Sequence, residues 1–295
     1  MKPLPTEGKT GIDEAFDAPA RPAGRRRAPR GAGQRLLVAA GYATALLVLM
    51  LPLLAIFAQA LSGGLLMLRD NLGQSSLHHA IGLTLLAAVI SVPLNLVFGT
   101  LVAWCVTRYD FRGRGLLVAL VDLPYATSPV VAGMCYMVVF GLESAFGRWL
   151  SAHDIQVIFA WPGIVLVTIF VTTPYVARIL IPRMVQAGAE AEEAALLLGA
   201  TGWQIFRRVT LPEVRWALLQ GTVTSSARAI GEFGAVSVVS GTIMNQTLTV
   251  PLLIEQLNND NKPAAAFTAS ALLAGIAVLT LLVRSVLERR EGTAR

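Results

Sequence analysis

Long apolar runs alternate with short polar connections along the chain. Six of the runs, at 36–61, 80–107, 115–141, 158–177, 216–241 and 264–283, each hold about 20 or more residues. At 1.5 Å per residue, a run of that length crosses a hydrocarbon core of ~30 Å as a helix. A helix is required because backbone N–H and C=O groups find no water inside a bilayer and must pair within the segment. The pattern therefore predicts an all-α integral membrane protein with six transmembrane helices and both termini on one side. The connection between the fourth and fifth runs is unlike the others. The string Glu190-Ala-Glu-Glu-Ala-Ala-Leu-Leu-Leu-Gly199-Ala-Thr-Gly-Trp203, continuing to Arg207-Arg208-Val209-Thr-Leu211-Pro212, reads as a short helix, a glycine break and a second short helix. Pro212 then marks the return to the membrane. A connection between spans needs no such structure unless something docks on it.

Charge gives the orientation. Of the 24 Lys and Arg residues, only Arg69, Arg148 and Lys262 fall in the connections on one side, and Arg228 lies inside the fifth run. The other 20 fall on the opposite side, so the excess of positive charge places both termini and the structured connection in the cytoplasm. Residues 1–34, rich in Pro, Ala, Gly and Arg, are expected to form a disordered basic cytoplasmic tail. A membrane domain at 35–290 and a cytoplasmic end at 291–295 follow. With a mean hydropathy of +0.62 and 14% charged residues, the chain is no soluble domain. The pI near 9.8 follows from the asymmetry, so the basic charge calls for no nucleic acid partner. Gly8-Lys9-Thr10 imitates the end of a phosphate-binding loop, but the glycine that loop requires would fall at Pro3. No ATP-binding motif and no metal-ligand spacing is found, so no cofactor is expected in this chain.

Three ionisable groups fall inside predicted spans. In the fifth run 14 of 26 positions are Ala, Gly, Ser or Thr, which permits close helix approach, and the run also carries Gln220, Arg228 and Glu232. A charge near the centre of a helix costs about 2.5–3.5 kcal/mol on insertion scales, so this run is expected against other helices or a water-filled path. Arg228 and Glu232 are four residues apart and can pair, either as an element of a gate for an anion or as an internal ion pair that holds the bundle. In the third run Asp122 stands beside Pro124, with Pro129 following, which indicates a kink whose freed carbonyls face protein or water.

Glu193-Ala194-Ala195, Gly199, Val209 and Leu211-Pro212 resemble the EAA loop of bacterial ABC importer permeases, with Val209 where that family usually has Ile. Three longer stretches are similar to CysW-type permeases of sulfate/thiosulfate importers. These are Phe159-Ala-Trp-Pro-Gly-Ile-Val-Leu-Val-Thr-Ile-Phe170, Gly202-Trp-Gln-Ile-Phe-Arg-Arg-Val-Thr-Leu-Pro212 and Ala227-Arg-Ala-Ile-Gly-Glu-Phe-Gly-Ala-Val-Ser-Val-Val-Ser-Gly241. Asp122-Leu-Pro-Tyr-Ala-Thr-Ser-Pro-Val-Val-Ala-Gly133 fits the same family.

The resemblance implies the type I ABC importer permease fold in the bacterial inner membrane, with a coupling loop at about 184–213. It also implies an ABC ATPase dimer that binds ATP and Mg, a second homologous permease and a periplasmic sulfate-binding protein. The chain itself would be a transport subunit without catalytic residues. Asp122, Arg228 and Glu232 are the candidates for a translocation path or gate. Molybdate or tungstate import is the alternative, since those permeases share the EAA loop and an Arg-Ala-x-Gly-Glu-Phe-Gly-like stretch. An intramembrane enzyme is a remote one, because no nucleophile and base accompany the three ionisable groups.

Overall fold

The computed structural model describes residues 32–293. The tail expected at 1–34 lies outside the described residues as far as residue 31, and residues 32–34 already belong to the first helix, α1 (Ala32–Leu61). The chain forms two units, 1–52 and 53–295, with the boundary at Pro52 inside α1. In the second unit the helices are α2 (Gly64–Leu72), α3 (Ser75–Arg108), α4 (Arg114–Ala126), α5 (Pro129–Phe140), α6 (Ala145–Ala152) and α7 (Trp161–Ala187). They continue as α8 (Glu190–Leu197), α9 (Gly202–Ile205), a π-helical turn (Phe206–Thr210), α10 (Leu211–Ile230), α11 (Gly234–Ser240), α12 (Val250–Asn259) and α13 (Pro263–Thr293). No strand is present among the described residues.

Among the described residues four helices, α1, α3, α7 and α13, are long and apolar enough to cross a membrane, and α4 with α5 makes a fifth if that bent pair counts as one span. The third predicted run is thus not a single straight helix. It bends by 106° where Thr127 and Ser128 turn extended before Pro129. Proline disfavours helical geometry in the residue before it, and its own fixed φ suits a new first turn. The fifth predicted run is also broken: α10 stops at Ile230, and three residues, 231–233, intervene before α11.

α7 is the centre of the second unit. More than half of its apolar stretch is buried, 56% against 17% for α13. Its longest neighbour is α3, which approaches so closely that a Cβ on Gly99 would stand 2.7 Å from Val176 Cβ. Asn95, fully buried, locks the pair: its amide donates to Ile169 O and Thr172 Oγ1, and Thr173 Oγ1 donates to Asn95 Oδ1. α10 packs a stripe of small residues, Ala217, Gly221, Ser225 and Ala229, towards α7, α3 and α13, as its composition led one to expect.

The segment between α10 and α13, expected as a connection beyond residue 241, folds further. Pro251 opens α12, whose Leu252, Leu253 and Leu257 are buried in one core with α3, α7, α11 and α13. α5 is received by α11 at a point where any Cβ on Gly133 would meet Ala235 O at 2.7 Å.

Candidate coupling surface and charged pairs

The structured connection begins where α7 ends. Gly188, at φ 74 and ψ −173, occupies a conformation open essentially to glycine alone and turns the chain into α8. Three acids, Glu190, Glu192 and Glu193, fill the first turn of α8, where the positive end of the helix dipole favours them. The helix is closed by a Schellman motif. Gly199, left-handed at φ 86, donates to Leu196 O at 2.9 Å, and Ala200 N–H reaches back to Ala195 O at 3.0 Å. Thr201 then caps α9 reciprocally with Gln204, its N–H donating to Gln204 Oε1 at 2.8 Å. Gly202 is therefore the first residue of the second short helix.

Pro212 stands in the first turn of α10, as expected, but no gap precedes that helix. α9, the π-turn and α10 run without interruption, and Leu211 N–H donates to Phe206 O, five residues back. A proline in a helix lacks an N–H and presses on the carbonyl four residues earlier. Widening the preceding turn to the π form removes that conflict, which accounts for Arg207, Arg208 and Val209 lying in it.

α8 has no buried residue. Leu197 and Leu198 are each 89% exposed, and Leu196 and, beyond the glycine, Trp203 are exposed as well. Glu193, Ala194, Leu211 and Pro212 are also exposed, whereas Ala195 and Val209 are half-buried. The predicted motif residues are thus brought onto one surface module, mostly facing outward. Its attachment to the rest of the fold involves residues the sequence reading did not single out. Trp203 stacks on Phe206 at 5.6 Å between ring centres, and Phe206 meets Trp104 of α3 at a tilt, 5.1 Å away.

The charged pairs come next. Arg228, in the last turn of α10, lies 2.5 Å from Glu232 Oε2, an ionic contact off the hydrogen-bond axis. The helix break does not separate them. Glu232 is 2% exposed, and its other oxygen accepts from Ala235 N–H at 2.9 Å, so it also caps α11. Asp122 pairs with Arg178 of α7 (Nε to Oδ1, 2.7 Å), both about two-fifths exposed. The Arg178 guanidinium lies 4.1 Å over the Tyr125 ring, and Tyr125 meets Tyr175 edge to face at 6.2 Å. The structure does not join Asp122 to Arg228 and Glu232 by any described contact. Arg178, read from the sequence as connection charge, is inside α7, which runs ten residues past the predicted span.

Residues 95–292 match the family described as "Binding-protein-dependent transport system inner membrane component". The chain belongs to this family. It is a multi-pass inner-membrane component, and its helices are those of a transport permease subunit. Among similar proteins is the "Sulfate transport system permease protein CysW" of Escherichia coli (strain K12), 52% identical over 258 residues, 88% of this chain and 89% of that one. The protein of the same name from Synechococcus elongatus is 48% identical over 83% of this chain and 86% of its own length. The "Sulfate transport system permease protein CysT" of Escherichia coli (strain K12) is 38% identical, covering 82% and 88%. Of solved structures, a chain of the crystal structure of a bacterial alginate ABC transporter in complex with an alginate-pentasaccharide-bound periplasmic protein superposes with a TM-score of 0.71. It is 18% identical, over 86% of this chain and 94% of that chain, and shows that the two share the ABC permease fold.

Proposed function

We propose that this chain is one of two permease subunits of an ATP-driven importer of sulfate or thiosulfate. Its domain at 35–290 crosses the membrane six times with both termini in the cytoplasm, counting the bent α4–α5 pair and the interrupted α10–α11 segment as one crossing each. The observation that carries the reading is α8, a short cytoplasmic helix at whose end Leu196, Leu197 and Leu198 are offered to solvent at 62–89% exposure instead of being buried. An apolar knob presented on an ordered helix is a docking surface. Its occupant is the ATPase subunit of the importer, which binds ATP and Mg and whose closure moves the coupling loop at about 184–213.

The choice of anion rests on relatives that carry sulfate permease names at 38–52% identity over most of their length. A periplasmic sulfate-binding protein delivers the anion, and a homologous second permease completes the path. Asp122 and Arg178 lie about 12–14 Å along α4 and α7 from their cytoplasmic ends at 1.5 Å per residue. An ion pair two-fifths exposed on these apolar helices would be costly against lipid, so it faces the second permease or the water-lined path. Arg228 and Glu232 act as an internal brace at the break in the α10–α11 segment, next to that path.

Uptake of radiolabelled sulfate by a strain lacking this chain, and again after its reintroduction, tests the reading. Restored sulfate uptake is expected. Restoration of molybdate but not sulfate uptake would move the assignment to the molybdate alternative.

A further inference from the structure

α8 buries no residue, yet one of its side chains is tightly held. Glu192, the residue before the Glu193-Ala194-Ala195 triplet, has a side chain only 12% exposed, and that of its partner Arg108 is 10% exposed. Glu192 Oε2 accepts from Arg108 Nε at 2.8 Å, and Oε1 accepts from the Thr210 hydroxyl at 2.7 Å. Arg108, the last residue of α3, also donates to Met184 O of α7 at 3.2 Å. One carboxylate therefore joins α8 to the cytoplasmic ends of α3 and α7 and to the π-turn that leads into α10.

The backbone cannot provide such a link. α8 hangs between Gly188 at φ 74 and Gly199 at φ 86, two joints at which glycine freedom lets a pushed helix swivel. The tilted rings of Phe206 and Trp104 meet through an undirected apolar contact and can slide over one another. The carboxylate is different. Hydrogen bonds between ionised partners are short, directional and about twice as strong as neutral ones, and burial shields them from salt. Glu190 and Glu193, on the same helix turn, are exposed and show no such engagement.

We propose that Glu192, with Arg108 and Thr210, is a positioning residue that carries displacement of α8 into α3, α7 and α10, an inference that rests on the docking role given to α8 above. Without this clasp an ATPase still binds α8 and still hydrolyses ATP, but the stroke is absorbed at the glycine joints.

The test uses the full complex of both permeases, ATPase and binding protein in proteoliposomes, with Glu192→Gln, Arg108→Gln and the double variant. Glu192→Gln keeps the size of the side chain and an acceptor for Thr210, so it removes the charge and little else. ATPase co-purification with each variant should equal the wild type. Sulfate moved per ATP hydrolysed should fall about tenfold, within the usual range of coupling between two sites. The double variant should be no worse than Arg108→Gln alone, because that substitution already breaks the contact to Glu192 along with the bond to Met184 O. A wild-type ratio in either single variant overturns the proposal, as does a multiplied loss in the double. A transport loss that only tracks lost ATPase overturns it too, since that is what a clasp that merely keeps α8 folded would give. Failure of the docking role itself shows separately, as ATPase retained by a chain whose exposed leucines have been removed.

Discussion

Removing the exposed leucines is the sharpest perturbation, because the fold has nothing to lose by it. Leu197 and Leu198 are 89% exposed in the free chain, and neither belongs to a core cluster. Alanine continues a helix at least as well as leucine, so Leu197→Ala and Leu198→Ala should leave the membrane domain and its melting temperature unchanged. Docking is another matter. Fully covering a leucine side chain is worth about 1.5–3 kcal/mol, and truncation to alanine forfeits most of it. A loss of about 2 kcal/mol per site weakens the ATPase roughly thirtyfold for each single variant, and near a thousandfold for the double if the two add. The affinity of the detergent-solubilised permease pair for the isolated ATPase subunit, titrated for wild type and the three variants, reads this directly. Sulfate uptake in cells should fall in the same order. Affinities within twofold of wild type for the double variant would refute the argument that α8 is the docking surface. A lowered melting temperature would refute the claim that these leucines lie outside the fold.

Two further outcomes follow from backbone and charge. Nothing stands within 4 Å of a Cβ placed on Gly199, so the cost of a substitution there is the left-handed backbone alone, about 1–2 kcal/mol for an ordinary residue. Gly199→Asn, which tolerates that conformation, should retain more uptake than the β-branched Gly199→Val, at equal membrane levels of the chain. Arg228→Ala leaves the Glu232 carboxylate buried without its cation and should destabilise the chain by about 3–5 kcal/mol, measured as a lower melting temperature in detergent. Adding Glu232→Gln should recover much of that loss. Recovery of stability and transport together identifies a brace, whereas stability recovered without transport would make Arg228 a contact of the anion.

The hydropathy pattern located the four described helices long enough to cross a membrane and the bent α4–α5 pair, but not the breaks. Mean hydropathy counts composition, and the runs at 115–141 and 216–241 keep their apolar content across breaks made by Thr127-Ser128-Pro129 and Gly231-Glu232-Phe233. The prolines and glycines there were visible, but a kink within one helix and two helices at 106° share the same letters. The local structure of 190–212 was legible because its signals are local: acids in the first turn, a glycine at the stop, a proline after the second helix. Even so, the Thr201-x-x-Gln204 capping box, itself a sequence signature, went unread, as did the π-turn that precedes Pro212 in the first turn of α10. What no local signal carries is the anchorage. Glu192 and Arg108 are 84 residues apart, and Arg108 counted in the sequence only as one more positive charge on the cytoplasmic side.

That division has a physical cause. An isolated helix of eight residues is far too short to persist in water, and α8 has no buried side chain to hold it. Its order must come from its ends and from one carboxylate. A segment so supported sits at the low-stability end of the molecule, where moving elements are drawn from. Deeper burial of the leucines would stabilise α8 and remove the surface that docks. Loss of the Glu192 contact would keep the surface and detach it from the spans. The arrangement of an exposed apolar face on a helix clasped from behind meets both demands at once. It predicts that hydrogen exchange in 190–198 is fast in the free permease, slows when the ATPase binds, and stays fast at the free chain's rate only if docking occurs elsewhere.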